Sequence, residues 1–227
     1  MTQCYSFKME IYNLMGREKK KKASKQHELI PSNLRALLVG PSYSGKTNLL
    51  INFIAIPKYM DYDIVVIFTS TANQKIYQRL REAFDKCGES RRLVFTQDEA
   101  FFDDLEEDTQ YLVVFDDVML HKQLVIMHVF THGRHRNMNC LYLAQNYNRI
   151  PAQLVRDNSN FLCLFSQCDR NLKKIYEDHC NNDVHSFQEF KRMCLECWQK
   201  EFNFLTINKT LSRRNGKYRN FDNNKIM

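Results

Sequence analysis

Eight consecutive residues in this 227-residue chain are suited to gripping a phosphate: Gly40, Pro41, Ser42, Tyr43, Ser44, Gly45, Lys46 and Thr47, with Asn48 behind them. Their order fits G-x-x-x-x-G-K-[ST], and each part has a physical reason. Glycines at 40 and 45 let the chain wind without Cβ clashes, so successive backbone N–H groups converge on anionic oxygens. Lys46 brings charge to β- and γ-phosphates, and the Thr47 hydroxyl suits Mg2+. A helix starting here adds the positive end of its dipole. The expected ligand is a nucleotide with its metal.

A second set of residues could work on that ligand. The run "YLVVFDDV" at 111–118 carries Asp116 and Asp117 to the end of an apolar segment. Asp116 suits a metal held through water, and Asp117 suits a base that orients or deprotonates an attacking water. The pair would equally cap a following helix. Gln145 falls just after another apolar run, where its amide could reach the terminal phosphate or the water; it also reads as a polar strand end. Arg134, Arg136, Arg149 and Arg156 form a cationic set. Arg134 and Arg156 lead it as candidates for a guanidinium inserted from a neighbouring subunit, against surface or DNA-contact roles.

The elements that must hold these groups alternate regularly. Apolar runs at 36–39, 64–69, 112–115, 140–143 and 161–165 read as strands buried on both faces, and the stretches between them have helical period. Helices are expected from Lys46 or Thr47 to about Ala55, from Asn73 to about Cys87 with Gly88 as cap, and from Lys122 to Thr131. Two more are expected, from about Arg170 to Asn181 and from Ser186 to Lys200. A short strand at Leu93–Phe95 and a last one in "FNFLTIN" at 202–208 complete the pattern. This is an α/β chain with a mainly parallel sheet and right-handed crossovers. With the phosphate loop it becomes a P-loop NTPase of the ASCE/RecA-like type, a three-layer sandwich. The division is a basic N-terminal extension over 1–33, the ATPase domain over 34–211 and a basic C-terminal tail over 212–227.

Charge points to a partner. The formal net charge of +7 is concentrated in Arg17, Lys19 to Lys22 and Lys25, and in Arg213, Arg214, Lys217, Arg219 and Lys225, while 98–108 is acidic. Basic ends suit a polyanion such as DNA, though they would also serve solubility, and the lysine run fits a nuclear address. No segment has the apolar length to span a bilayer, and no secretory signal is evident, so the eight cysteines are expected as free thiols or ligands. Cys194 and Cys197 have half the spacing of a zinc site but no second pair, and three apart on a helix they suit a core face.

In the order given, "LLVGPSYSGKTNLL", "YLVVFDDV", "THGRHRNMNCLYLAQNYNRIP" and "LVRDNSNFLCLF" resemble the DNA-packaging ATPases of poxviruses, other large nucleocytoplasmic DNA viruses and Polinton or adinto-like elements, a branch of the FtsK/HerA superfamily. The resemblance spans about Leu34 to Gln167. It implies ATP and Mg2+ as cofactors, and a homo-oligomeric ring, a hexamer, that pumps double-stranded DNA into a capsid at sites of virion assembly in the host cytoplasm or nucleus. Capsid or portal-vertex proteins are implied partners. Lys46 and Thr47 take the phosphate and metal roles, Asp116 the metal role, Asp117 the base role and Gln145 the sensor role. Many relatives carry Glu in place of Asp117, so this shorter side chain must bring its carboxylate closer. Against this stand a GTPase, whose Asn-Lys-x-Asp reader is missing because Asn208-Lys209 runs into Thr210 and Leu211, a small-molecule kinase without an Arg-rich lid, and a nucleotide-gated scaffold.

Overall fold

The computed structural model describes residues 27, 29–56, 59–86, 91–102, 105, 106, 108–118, 123–136 and 138–220. The basic run at 17–25, the expected helix ends at Cys87, Gly88 and Lys122, and Lys225 lie outside the described residues. Among the described residues eight strands form one sheet: β1 (Arg35–Val39), β2 (Ile64–Thr69), β3 (Arg92–Thr96), β4 (Tyr111–Asp116), β5 (Met138–Ala144), β6 (Phe161–Leu164), β7 (Leu205–Asn208) and β8 (Tyr218–Asn220). Their order is β3-β2-β4-β5-β1-β6-β7-β8. From β3 to β6 the pairing is parallel, and β7 and β8 add to the edge antiparallel.

The apolar runs form parallel strands because both faces are covered. Alternate residues serve opposite layers: Leu37, Val39, Val113 and Phe115 join one core cluster, and Ala36, Leu38, Leu112 and Val114 the other. Helices α1 (Lys46–Ala55) and α2 (Lys75–Lys86) bury Leu50, Phe53, Tyr77 and Leu80 on one face. Helices α3 (Gln123–His132), α4 (Asp169–His179) and α5 (Phe187–Cys197) bury Phe130, Ile175 and Phe190 on the other. The result is a three-layer α/β sandwich of the RecA-like P-loop NTPase type. Cys194 and Cys197 sit fully buried in the second layer, and among the described residues no group of three or more metal-ligating side chains gathers. Among those residues, too, no helix is long and apolar enough to cross a membrane.

Two features depart from the sequence expectation. The run at 202–208 yields a strand only from Leu205, because Phe202 turns into a left-handed conformation with φ 65° and the residues before β7 form a loop. The C-terminal end also folds further than expected. Residues 212–220, expected in a basic tail, instead make a 3-10 turn and β8, with Tyr218 fully buried. Two of its basic residues are paired internally: Arg213 with Glu189 at 2.6 Å and Lys217 with Asp183 at 2.7 Å. The Tyr218 hydroxyl donates to Asp183 at 2.6 Å.

Candidate nucleotide site

The strand order decides which groups can meet. β5 lies between β1 and β4, so the strand ending at Gln145 separates the phosphate loop from Asp116 and Asp117. All three strands are parallel, and their carboxyl ends open on one edge. The loop is tied to its neighbours there: Gly40 N–H donates to the Ala144 carbonyl at 3.1 Å, and Phe165 N–H donates to the Val39 carbonyl at 2.9 Å.

The loop itself is wound as tightly as glycine allows. A Cβ on Gly40 would fall 2.6 Å from both Phe165 Cβ and Ser44 Oγ. Gly45 turns with φ 101°, directly before α1. Lys46 is buried, and its Nζ donates to the carbonyls of Gly40 and Pro41 at 2.8 Å each. Burial pulls the Lys46 ammonium below its ordinary pKa, against the raising pull of Asp116 and Asp117. The ammonium thus closes the loop on itself, and phosphate oxygens would exchange for those carbonyls. Ser44 Oγ is buried with no hydrogen-bond partner among the described residues, a donor that an anion in the loop would satisfy.

At the end of β4 the two aspartates differ. Asp116 is half-buried and accepts a hydrogen bond from the Tyr77 hydroxyl through Oδ2. Burial raises its pKa, as does the Asp117 charge, while the Tyr77 bond and Lys46 act in the opposite direction. Asp117 is exposed and holds φ 55°. Tyr77, on α2, is fully buried, and burial together with the Asp116 charge drives its phenol well above its usual pKa.

One cavity of about 620 Å3 is bounded by Ser42 to Asn48, Asp116, Asp117, Leu143, Gln145 and, from outside the motifs, Gln74, Ile76, Glu201 and Phe202. The volume suits a nucleotide-sized ligand. Among the described residues, five non-glycine residues have positive φ, and three of them, Tyr43, Asp117 and Phe202, line this cavity. Backbone strain gathers where a surrounding structure holds it for use. Thr47 and Asp116 offer a hydroxyl and a carboxylate, hard oxygen donors of the kind Mg2+ takes alongside phosphates and waters.

A family model for the poxvirus A32 protein matches residues 94–210, just over half of the chain. The chain belongs to the poxvirus A32 protein family. The match includes Asp116, Asp117 and Gln145; the phosphate loop of this A32-family chain lies before it. No curated protein sequence matches. Among solved structures, the genome packaging NTPase B204 from Sulfolobus turreted icosahedral virus 2 in complex with sulfate is similar at 16% identity and TM-score 0.57, over 79% of this chain and 93% of that one. The same protein in complex with ATP-gammaS is similar at 14% identity and TM-score 0.54, over 79% and 94%. The DNA-packaging ATPase B204 from Sulfolobus turreted icosahedral virus is similar at 15% identity and TM-score 0.55, over 78% and 94%. The A32-family chain shares their fold.

Arg156 lies away from the cavity lining. Arg156 ends a π-helical turn over Ala152–Arg156 and is 7% exposed; its Nη1 pairs with Asp178 Oδ2 at 2.6 Å and its guanidinium lies over the Tyr147 ring. Arg156, expected as a candidate finger, is thus enclosed by Tyr147 and Asp178 of its own chain. Arg134 lies in the 3-10 turn Gly133–Arg136, and its side chain is outside the described residues. Tyr77, Glu201 and Phe202 were missed in the sequence. Tyr77 reads as one more apolar position of α2, and the other two stand far along the chain in what reads as a strand approach.

Proposed function

We propose that this A32-family protein is an ATP-driven translocase that packages viral double-stranded DNA, a relative of the FtsK/HerA motors. One observation carries the reading: the phosphate loop, Asp116, Asp117 and Gln145 line a single cavity at the carboxyl edge of a parallel sheet. The fold shared with B204, described as a genome packaging NTPase, supports it. In this reading Gly40 to Asn48 wrap the phosphates and Lys46 neutralises them. Mg2+, held by Thr47 and Asp116, would offset charge on the phosphate oxygens. Asp117 accepts the proton of the attacking water as the terminal P–O bond breaks, and Gln145 orients that water. Arg134 stands as the candidate guanidinium from a neighbouring subunit of a ring, a hexamer, with capsid or portal-vertex proteins as docking partners. The pore charge that meets DNA phosphates falls to the N-terminal lysine cluster and to exposed residues such as Arg149 and Arg214, since Arg213 and Lys217 are paired.

ATP hydrolysis measured with and without duplex DNA tests this. Wild type should hydrolyse ATP faster with DNA, and Lys46→Ala and Asp117→Asn should each lose about a hundredfold or more. Hydrolysis absent from the oligomer, or indifferent to both substitutions, removes the motor reading.

A further inference from the structure

The nucleotide cavity has two ends, and the strand register separates them. Asp116, Asp117 and Gln145 lie at the ends of β4 and β5, on one side of the phosphate-loop strand. Glu201 and Phe202 precede β7, on the other side. β7 runs antiparallel to β6, and Leu205 pairs with Leu164 at the end of β6, so the loop before β7 stands at the same carboxyl edge. β4 and β7 are four strand spacings apart, about 19 Å. An extended nucleoside triphosphate fits that reach.

Charge fixes which way the ligand lies. Among the described residues lining the cavity Lys46 is the only cation, and it sits in the loop, facing Asp116 and Asp117. The far end offers a carboxylate, Glu201, which repels phosphate, and an aromatic ring. Phe202 is 55% exposed, although four large apolar side chains at most are so exposed among the described residues, and a second of those four, Tyr43 at 98%, lines the same cavity. The Phe202 ring packs against the loop: a Cβ on Gly45 would meet Phe202 Cδ1 at 3.4 Å. Its backbone is held at φ 65°, a conformation rare for a bulky residue. A solvent-facing ring kept in a strained backbone beside a phosphate loop, with no aromatic partner among the described residues, is a stacking surface.

We propose that Phe202 is the platform on which the nucleotide base stacks, with Glu201 marking the end of the cavity closed to phosphate. The proposal rests on reading the cavity as a nucleoside triphosphate site. The ring supplies affinity for the base and so sets the preference for a nucleotide over a bare polyphosphate; base–aromatic stacking of this kind is sequence-tolerant and strong enough to be seen by substitution.

Calorimetric titration of the full chain with a non-hydrolysable ATP analogue and, separately, with inorganic tripolyphosphate tests it. The ratio of the two affinities is the readout. Wild type should favour the analogue by about tenfold or more, and Phe202→Asn, which tolerates the left-handed backbone but has no ring, should lower that ratio by about tenfold. Phe202→Tyr, which keeps the ring, should preserve it. Equal affinity of wild type for the two ligands, or an unchanged ratio in Phe202→Asn, overturns the platform while leaving phosphate binding intact. If tripolyphosphate and the analogue both fail to bind wild type, or bind Lys46→Ala equally well, the nucleotide reading of the cavity falls, and the platform with it.

Discussion

Two polar clusters flank the turn that follows β5, and they are built from the same kinds of residue. On one side Gln145 lines one cavity with Lys46, Asp116 and Asp117. On the other, two residues later, Tyr147 enters a knot with Arg156, Asp178 and His179. The knot is closed: Asp178 takes Arg156 at 2.6 Å, Lys174 at 2.9 Å and the Tyr147 hydroxyl at 2.9 Å. Burial alone would raise the Asp178 carboxyl, but the bonds from Lys174 and Tyr147 and the Arg156 charge hold it below its usual pKa. The cavity is open, and its loop lysine is satisfied only by bending back on its own carbonyls. Charges that answer one another inside the chain make structure. Charges left to face an opening, one of them, Asp117, on a left-handed backbone, suit something that arrives.

The sharpest break of that contrast is Arg156→Ala. It leaves Asp178 largely buried without its closest cation, and removing one partner of such a pair costs about 3 kcal/mol of stability. Urea unfolding should show that loss, while ATP hydrolysis per folded molecule stays near wild type. The opposite outcome, full stability with hydrolysis abolished, would place Arg156 among the residues that act on the nucleotide.

His179 gives the next largest effect. Burial, aided by the charge of Lys209, pulls its imidazole from 6.5 down to about 3. Its Nε2 lies 2.7 Å from the Tyr147 hydroxyl, and that hydroxyl has one proton, which it gives to Asp178. His179 therefore donates from Nε2 as the neutral ring, and Nδ1 is left as a buried lone pair. The sign follows. Above pH 6.5 the ring is neutral folded or unfolded; below it the unfolded chain gains a proton that the folded one refuses. Stability then drops by about 1.4 kcal/mol per pH unit, or about 2 kcal/mol between pH 6.5 and 5. His179→Gln should be less stable than wild type at pH 7, with the difference shrinking at pH 5. A gap that holds constant between the two would mean the ring is protonated in the knot.

Much of this was legible in the sequence. The apolar runs became β1, β2, β4, β5 and β6 because two-sided burial leaves a strand no choice but continuous Val, Ile, Leu and Phe. The glycine and lysine spacing of the loop, and the aspartates closing β4, could be read because their chemistry is local in the chain. What was not legible depends on distance. Nothing near Arg156 marks Asp178 as its partner across the fold, so a core arginine read like a surface one. Tyr218 and β8 were hidden under a basic composition in which Lys217 and Arg213 turn out to be paired with Asp183 and Glu189. Tyr77 carries an apolar pattern on α2, and its hydroxyl bond to Asp116 spans thirty-nine positions.

That bond joins the two kinds of environment, since a fully buried phenol holds an oxygen of a carboxylate at the edge of the open cavity. Tyr77→Phe keeps the ring in its place against Phe95 and deletes only the donor. One hydrogen bond to a charged acceptor is worth about 1.5 kcal/mol at the modest end, and a metal held through water should feel part of it. The Mg2+ concentration for half-maximal ATP hydrolysis should therefore rise by about fivefold, with little change in the maximal rate once Mg2+ saturates. A purely structural phenol would lower the unfolding midpoint and leave the Mg2+ dependence where it was. If instead half-saturation falls, the hydroxyl competes with the metal for Asp116. The enclosed side of the molecule would then restrain the open one rather than hold it ready.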